Sequence, residues 1–146
     1  MQKINFSTSI DAPKEKVWKT LWEDESYRNW TSVFAEGSYA KTANWKEGSK
    51  VLFLDGKGSG MVSMVAVNRP NEFMSFKHLG IVKDGIEDVT SEKVKEWAGA
   101  LESYKLNGKN EKTELIIEMD ITEELKDYFM NTWPKALERV KELSEN

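Results

Sequence analysis

The chain closes on a long amphipathic segment that directly follows its most regular alternating stretch, and this juxtaposition restricts the fold more than any other feature. Across residues 122–143, Leu125, Tyr128, Phe129, Thr132, Trp133, Ala136, Leu137, Val140 and Leu143 recur at three- and four-residue steps, the signature of one helix face. Just before it, Leu115, Ile117, Met119 and Ile121 alternate with Glu114, Ile116, Glu118 and Asp120, the period of a strand. A one-faced helix beside a strand needs a sheet to bury it. Pro134 lies inside the helical segment, where its ring displaces the Met130 carbonyl and removes a hydrogen bond at a cost of about 3 kcal/mol, so a kink is expected there. Thr122 is placed to cap the helix with its hydroxyl, and Glu123 and Glu124 suit the positive end of its dipole.

The other end of the chain opens the same way. Ile4, Phe6, Thr8 and Ile10 share one face, and Lys3, Asn5, Ser7 and Ser9 the other, which predicts a first strand over 3–10. Asp11 and Ala12-Pro13 start a helix over 13–22 that buries Val17, Trp18, Leu21 and Trp22, and a second helical segment over 24–31 carries Tyr27 and Trp30 to the same core. From Phe34 the pattern becomes extended and glycine-punctuated. Strands are expected near 35–42, 49–55, 60–68, 72–79, 97–107 and 112–121, with DGKGSG at 55–60 and Asn107-Gly108-Lys109-Asn110 as hairpin connections. The 60–68 segment is apolar on both faces, as a doubly covered or bulged strand would be. Residues 81–96 read as a charged loop with a helical turn in SEKVKEW. Six grouped strands after two helices give an α+β fold, an antiparallel sheet with helices on one side. No linker, repeat or composition shift divides residues 1–146, so they read as one domain.

Composition excludes several functions. A chain of 146 residues buries roughly 68–70% of its unfolded surface and needs no staples. It has no cysteine, which removes disulfides, thiolate metal sites and cysteine nucleophiles and suits a reducing cytoplasm. The opening MQKINFSTSI reads as a strand and not as a signal peptide, and no apolar run approaches the roughly 20 residues of a membrane span. Cytoplasmic placement is therefore expected, without integral membrane association. A net charge of −4 with no Lys/Arg block argues against nucleic acid as a partner. One histidine and no clustered carboxylates offer no metal site, and no cofactor is implied. Gly56-Lys57-Gly58-Ser59-Gly60 lacks phosphate-loop spacing, and no serine lies in a nucleophile elbow.

Several motifs carry a resemblance. The stretch Ile10-Asp11-Ala12-Pro13 through Val17-Trp18, followed by Tyr27 and Trp30, resembles the opening of START-like proteins of the SRPBCC superfamily. Trp45-Lys46-Glu47-Gly48-Ser49 is similar to that family's turn before its third strand, and Trp133, Leu137 and Leu143 to its closing helix. The branch most resembled is the heat-shock-protein ATPase activator homologues, related to the polyketide cyclase-like group. The resemblance covers the whole chain. It implies a helix-grip fold, a curved antiparallel sheet around the long C-terminal helix with two short helices after the first strand, and a cavity between sheet and helix. Members bind lipids, polyketides or hormones and only some are enzymes, so function has to come from the site.

Candidate cavity residues are Phe129, Trp133, Ala136 and Leu137 on the helix and Met74, Phe76, His78, Tyr104 and Leu106 on the strands. Each of these has an ordinary core-packing alternative. His78 is the only histidine, and period two puts it on the face of Met74 and Phe76, while Glu102 shares the face of Tyr104 and Leu106. A His78–Glu102–Tyr104 cluster could bind a polar head group or move a proton. Because a one-residue register slip reverses a strand's faces, the favoured expectation is that His78 and Glu102 lie at the sheet rim in water. Three function classes follow. The leading one is a non-catalytic protein binding an apolar or amphipathic small molecule, marked by an apolar pocket without a buried ionisable pair. A cyclase or hydratase-like enzyme using His78, Glu102 or Tyr104 would show such a pair, and a chaperone-activator-like module binding a protein partner would show an exposed apolar patch.

Overall fold

The computed structural model describes all 146 residues. β1 (Gln2–Ile10) buries Ile4 and Ile10 and exposes Lys3, Asn5, Ser7 and Ser9, as its alternation predicts. Pro13 holds φ at −67° at the start of α1 (Lys14–Trp22), which buries Val17, Leu21 and Trp22. α2 (Asp24–Thr31) turns Tyr27 and Trp30 into the same core, and the Trp30 indole N–H is satisfied by the Leu21 carbonyl at 3.2 Å. The remaining strands are β2 (Tyr39–Lys41), β3 (Lys50–Leu54), β4 (Gly60–Arg69), β5 (Phe73–Lys83), β6 (Ile86–Asp88), β7 (Leu101–Lys109) and β8 (Lys112–Ile121). A short α3 (Glu92–Lys95) precedes β7, and a 3₁₀ turn, Glu123–Leu125, leads into α4 (Lys126–Glu145).

All strands form one antiparallel sheet in the order β1-β8-β7-β5-β4-β3-β2, with β6 added to β5. Register shifts between Val62 and Ser63 and between Val65 and Val67 bulge β4, the reading its two-sided apolar sequence allowed, and bulges increase local bending and twist. The sheet curves around α4, which packs on β1, α1 and α2 through Trp133, Ala136, Leu137 and Val140. Ser144 donates to the Thr20 hydroxyl at 3.0 Å, tying the end of α4 to α1. α4 runs on through Pro134, which faces solvent, so water can reach the Met130 carbonyl that the ring deprives of a partner.

Several local expectations are corrected. Seven strands, not six, follow α2, because β5 extends to Lys83 and turns at Asp84-Gly85 into β6, in the region expected to be loop. Both turn residues have positive φ, 50° and 80°, the backbone of a tight hairpin that Asp-Gly favours, and the surrounding charges had masked the signal. The β7–β8 turn falls at Asn110-Glu111, with φ of 54° and 64°, rather than at Asn107-Gly108, which stays paired with Glu114 and Thr113. β2 is limited to three residues, and residues 97–100 turn through Gly99 at φ 97° before β7 begins. The Thr122 hydroxyl makes no cap bond. Leu125 and Tyr128 are exposed rather than buried, since the 3₁₀ turn rotates the first part of the segment off the helix face.

Candidate functional site

A cavity of about 270 Å³ opens between the start of α4, the segment after α2 and the β3–β4 hairpin. Its walls are aromatic: Tyr27, Trp30, Phe34, Phe53, Tyr104, Tyr128, Phe129 and Trp133 all line it. Trp133 anchors the helix side, its ring 4.9 Å from Phe34, 6.0 Å from Trp30 and 6.0 Å from Tyr104, with its indole N–H directed at the Met119 sulfur at 3.0 Å. The rim is shaped by backbone as much as by side chains. Gly60 allows the hairpin to close, since a Cβ there would stand 1.8 Å from the Phe53 carbonyl oxygen. Asp55 caps the hairpin by accepting the backbone N–H groups of Lys57 at 2.7 Å and Ser59 at 3.0 Å, and these bonds hold its carboxyl below the usual range. Tyr128 donates to the Phe34 carbonyl at 2.5 Å and so closes the other side of the mouth.

The sheet contributes a polar chain to the inner wall. Register pairs Phe76 with Glu102 and Met74 with Tyr104, which places His78, Glu102 and Tyr104 on one face. His78 Nε2 lies 3.1 Å from Glu102 Oε1, the Tyr104 hydroxyl donates to Glu102 Oε2, and Ser63 Oγ lies 2.6 Å from His78 Nδ1. The favoured expectation of a solvated rim is therefore overturned: the side chains of His78 and Glu102 are only 7% and 18% exposed. The bulge in β4 is what delivers Ser63 to Nδ1, an alignment that no local pattern encodes.

Electrostatics follow from burial and these bonds. Burial pushes the Glu102 carboxyl up, but the hydrogen bond and charge of His78 and the hydrogen bond of Tyr104 outweigh it and hold the group below its ordinary range. Burial first, and the Glu102 charge second, raise the phenols of Tyr104 and Tyr27 well above the ordinary tyrosine value. Glu102 is thus an ionised acceptor held between His78 and Tyr104. Glu102 and Ser63 engage the two ring nitrogens of His78, Glu102 at Nε2 and Ser63 at Nδ1, and fix the plane of the imidazole.

Of the sequence-selected residues, His78, Glu102, Tyr104, Phe129 and Trp133 line the cavity. Met74, Phe76, Leu106, Ala136 and Leu137 do not, and pack in the core at 5% exposure or less. The lining also includes residues that sequence reasoning had not selected, among them Phe34, Phe53, Asp55, Met61 and Tyr128. Tyr128 carried the helical spacing, but the hairpin residues reach the site only through tertiary folding. A second cavity of about 160 Å³ lies between Trp22, Asp24, Tyr27, Ala40, Thr42 and Trp45.

No protein-family model matches the chain, and no curated protein matches it in sequence. Solved structures do match. The protein MLL2253 from Mesorhizobium loti is similar with a TM-score of 0.75 and 14% identity, covering 97% of this chain and 96% of its own. The Aha1 dimer from Colwellia psychrerythraea gives a TM-score of 0.72 at 19% identity, covering 99% of this chain and 97% of its own. CalU16 from Micromonospora echinospora gives 0.67 at 14% identity, covering 97% and 75%. At such identities the likeness is one of fold. The chain has the START-like, helix-grip fold, an α+β arrangement in which sheet and long helix enclose the cavity just described.

Proposed function

We propose that this protein binds a small apolar or amphipathic molecule in the cavity between the sheet and α4, without transforming it. The observation that carries this reading is the aromatic cavity of about 270 Å³ with its polar groups gathered on one wall. A cavity of about 150 Å³ accommodates benzene, so this one suits a molecule of two or three rings, oriented by a few convergent polar groups. In this reading the protein works in the cytoplasm, without cofactor or nucleic acid. No helix is long and apolar enough to cross a membrane.

A second reading has a specific observation behind it. The buried His78–Glu102 pair is the mark set out above for a cyclase or hydratase-like enzyme, with Glu102 as proton acceptor. Two features favour binding over catalysis. Both ring nitrogens of His78 are engaged by protein groups, which leaves no imidazole lone pair for a substrate. Glu102 is held below its ordinary range, whereas an efficient general base at neutral pH needs the opposite shift. Leu125, Tyr128 and Met130 are exposed around the start of α4, and such apolar surface suits the docking of a protein partner.

Native mass spectra of the purified protein, followed by titration with the neutral fluorophore N-phenyl-1-naphthylamine, test the reading. A co-purifying small molecule, or saturable binding that changes in Trp133→Ala, supports it. Neither a ligand nor saturable binding transfers the weight to the protein-partner reading.

A further inference from the structure

The charges of the cavity constrain its ligand further, on the premise that the cavity binds one. The titratable side chains on its wall other than tyrosines are Asp55, His78 and Glu102, and neither lysine nor arginine lines it. Glu102 uses one bond on each carboxylate oxygen, leaving lone pairs toward the 18% of its side chain that remains accessible. Asp55 accepts its two backbone bonds through Oδ1 alone, so Oδ2 is unengaged at the rim. Glu102 borders the Tyr104 ring, and the cavity both carboxylates line is walled by aromatic rings, whose faces attract cations through their quadrupoles.

We infer that the preferred ligand is an organic amine, an aromatic or short aliphatic body bearing a protonated nitrogen, with the ammonium at Glu102 and the body among Trp133, Phe129 and Phe34. A carboxylate, phosphate or thioester-linked phosphate carrier meets two carboxylates there, and the one basic side chain of the lining, His78, is already engaged by Glu102 and Ser63. A neutral ligand gains the aromatic contacts alone. The three classes should therefore rank amine, then neutral, then anion.

The test uses three probes on one skeleton, 2-naphthylmethylamine, 2-naphthylmethanol and 2-naphthoate, titrated calorimetrically at neutral pH into the wild type, Glu102→Gln and Asp55→Asn. The wild type should bind the amine about tenfold more tightly than the alcohol, and the alcohol more tightly than the acid. Glu102→Gln, checked for folding by its thermal transition, should bring amine and alcohol within about twofold of each other. Asp55→Asn, farther out, should reduce the preference by a smaller factor. Binding of the alcohol with equal or better binding of the acid overturns the charge inference alone. An amine preference that survives unchanged in Glu102→Gln also overturns it. Failure of all three probes in the wild type, together with N-phenyl-1-naphthylamine, overturns the binding reading beneath it.

Discussion

Ser63 is fully buried and touches His78 on the side away from the cavity, so its part is to fix the imidazole and not to react. Its removal leaves a buried ring nitrogen without a partner, and such a loss costs about 1–3 kcal/mol. Ser63→Ala is therefore expected to lower stability by that amount in chemical denaturation, while Ser63→Thr, which keeps the hydroxyl, recovers part of it if β4 admits the extra methyl. An unchanged midpoint in Ser63→Ala would show that the 2.6 Å contact contributes nothing. Trp133 is the opposite case, a large side chain whose value lies in packing as well as in the site. Only 2% exposed and in contact with four aromatic rings, it should cost about 3–5 kcal/mol on truncation to alanine. Its binding data must accordingly be taken where the variant is still folded.

Among the elements, the β7–β8 hairpin holds a correctable weakness. Glu111 adopts φ of 64°, a conformation that costs a non-glycine residue about 1–2 kcal/mol. Glu111→Gly creates the Asn-Gly pair that such turns favour, and thermal unfolding should show a gain of about 1 kcal/mol; a loss would mean that chain entropy outweighs the relieved strain. The same hairpin shows how far the sequence could be read. β1, β8 and α4 were legible because each is long and strictly periodic, with Ile4, Ile117 and Val140 on faces that repetition identifies. The β5–β6 hairpin was obscured because Ile86 and Val89 are exposed and its brevity gives no period to recognise. The His78–Glu102–Tyr104 grouping followed from alternation within β5 and β7, but neither strand states the register that sets Phe76 against Glu102, and Ser63 joins the group only through a bulge in β4 that residues 60–68 indicate without locating. Asp55, Phe53 and Met61 were invisible as site residues, because a hairpin tip meets the start of α4 only in the folded molecule.

For the molecule as a whole, the buried ionisable groups predict a stability that declines at both ends of the pH scale. Glu102 sits below its ordinary value of 4.5 in the fold, so its contribution is complete above about pH 4.5 and is lost as the pH falls through the lower folded-state value. Tyr27 and Tyr104 sit above their ordinary 10.0, so their contribution is complete below about pH 10 and is lost as the pH rises toward their folded-state values. Melting temperatures across pH should show both declines, with Glu102→Gln flattening the acid side and Tyr27→Phe the alkaline side; unaltered profiles would separate these groups from pH stability. The cavity itself is a property of the whole molecule, since its walls come from α2, the β3–β4 hairpin, β5, β7 and α4 together. Calorimetric titration of N-phenyl-1-naphthylamine into the wild type and into Ala35→Trp, which places an indole in the cavity wall, tests it most directly. One saturable site is expected in the wild type and none in the variant, which should melt at an unchanged temperature. Equal binding by both proteins, or no saturable binding by the wild type, would contradict it.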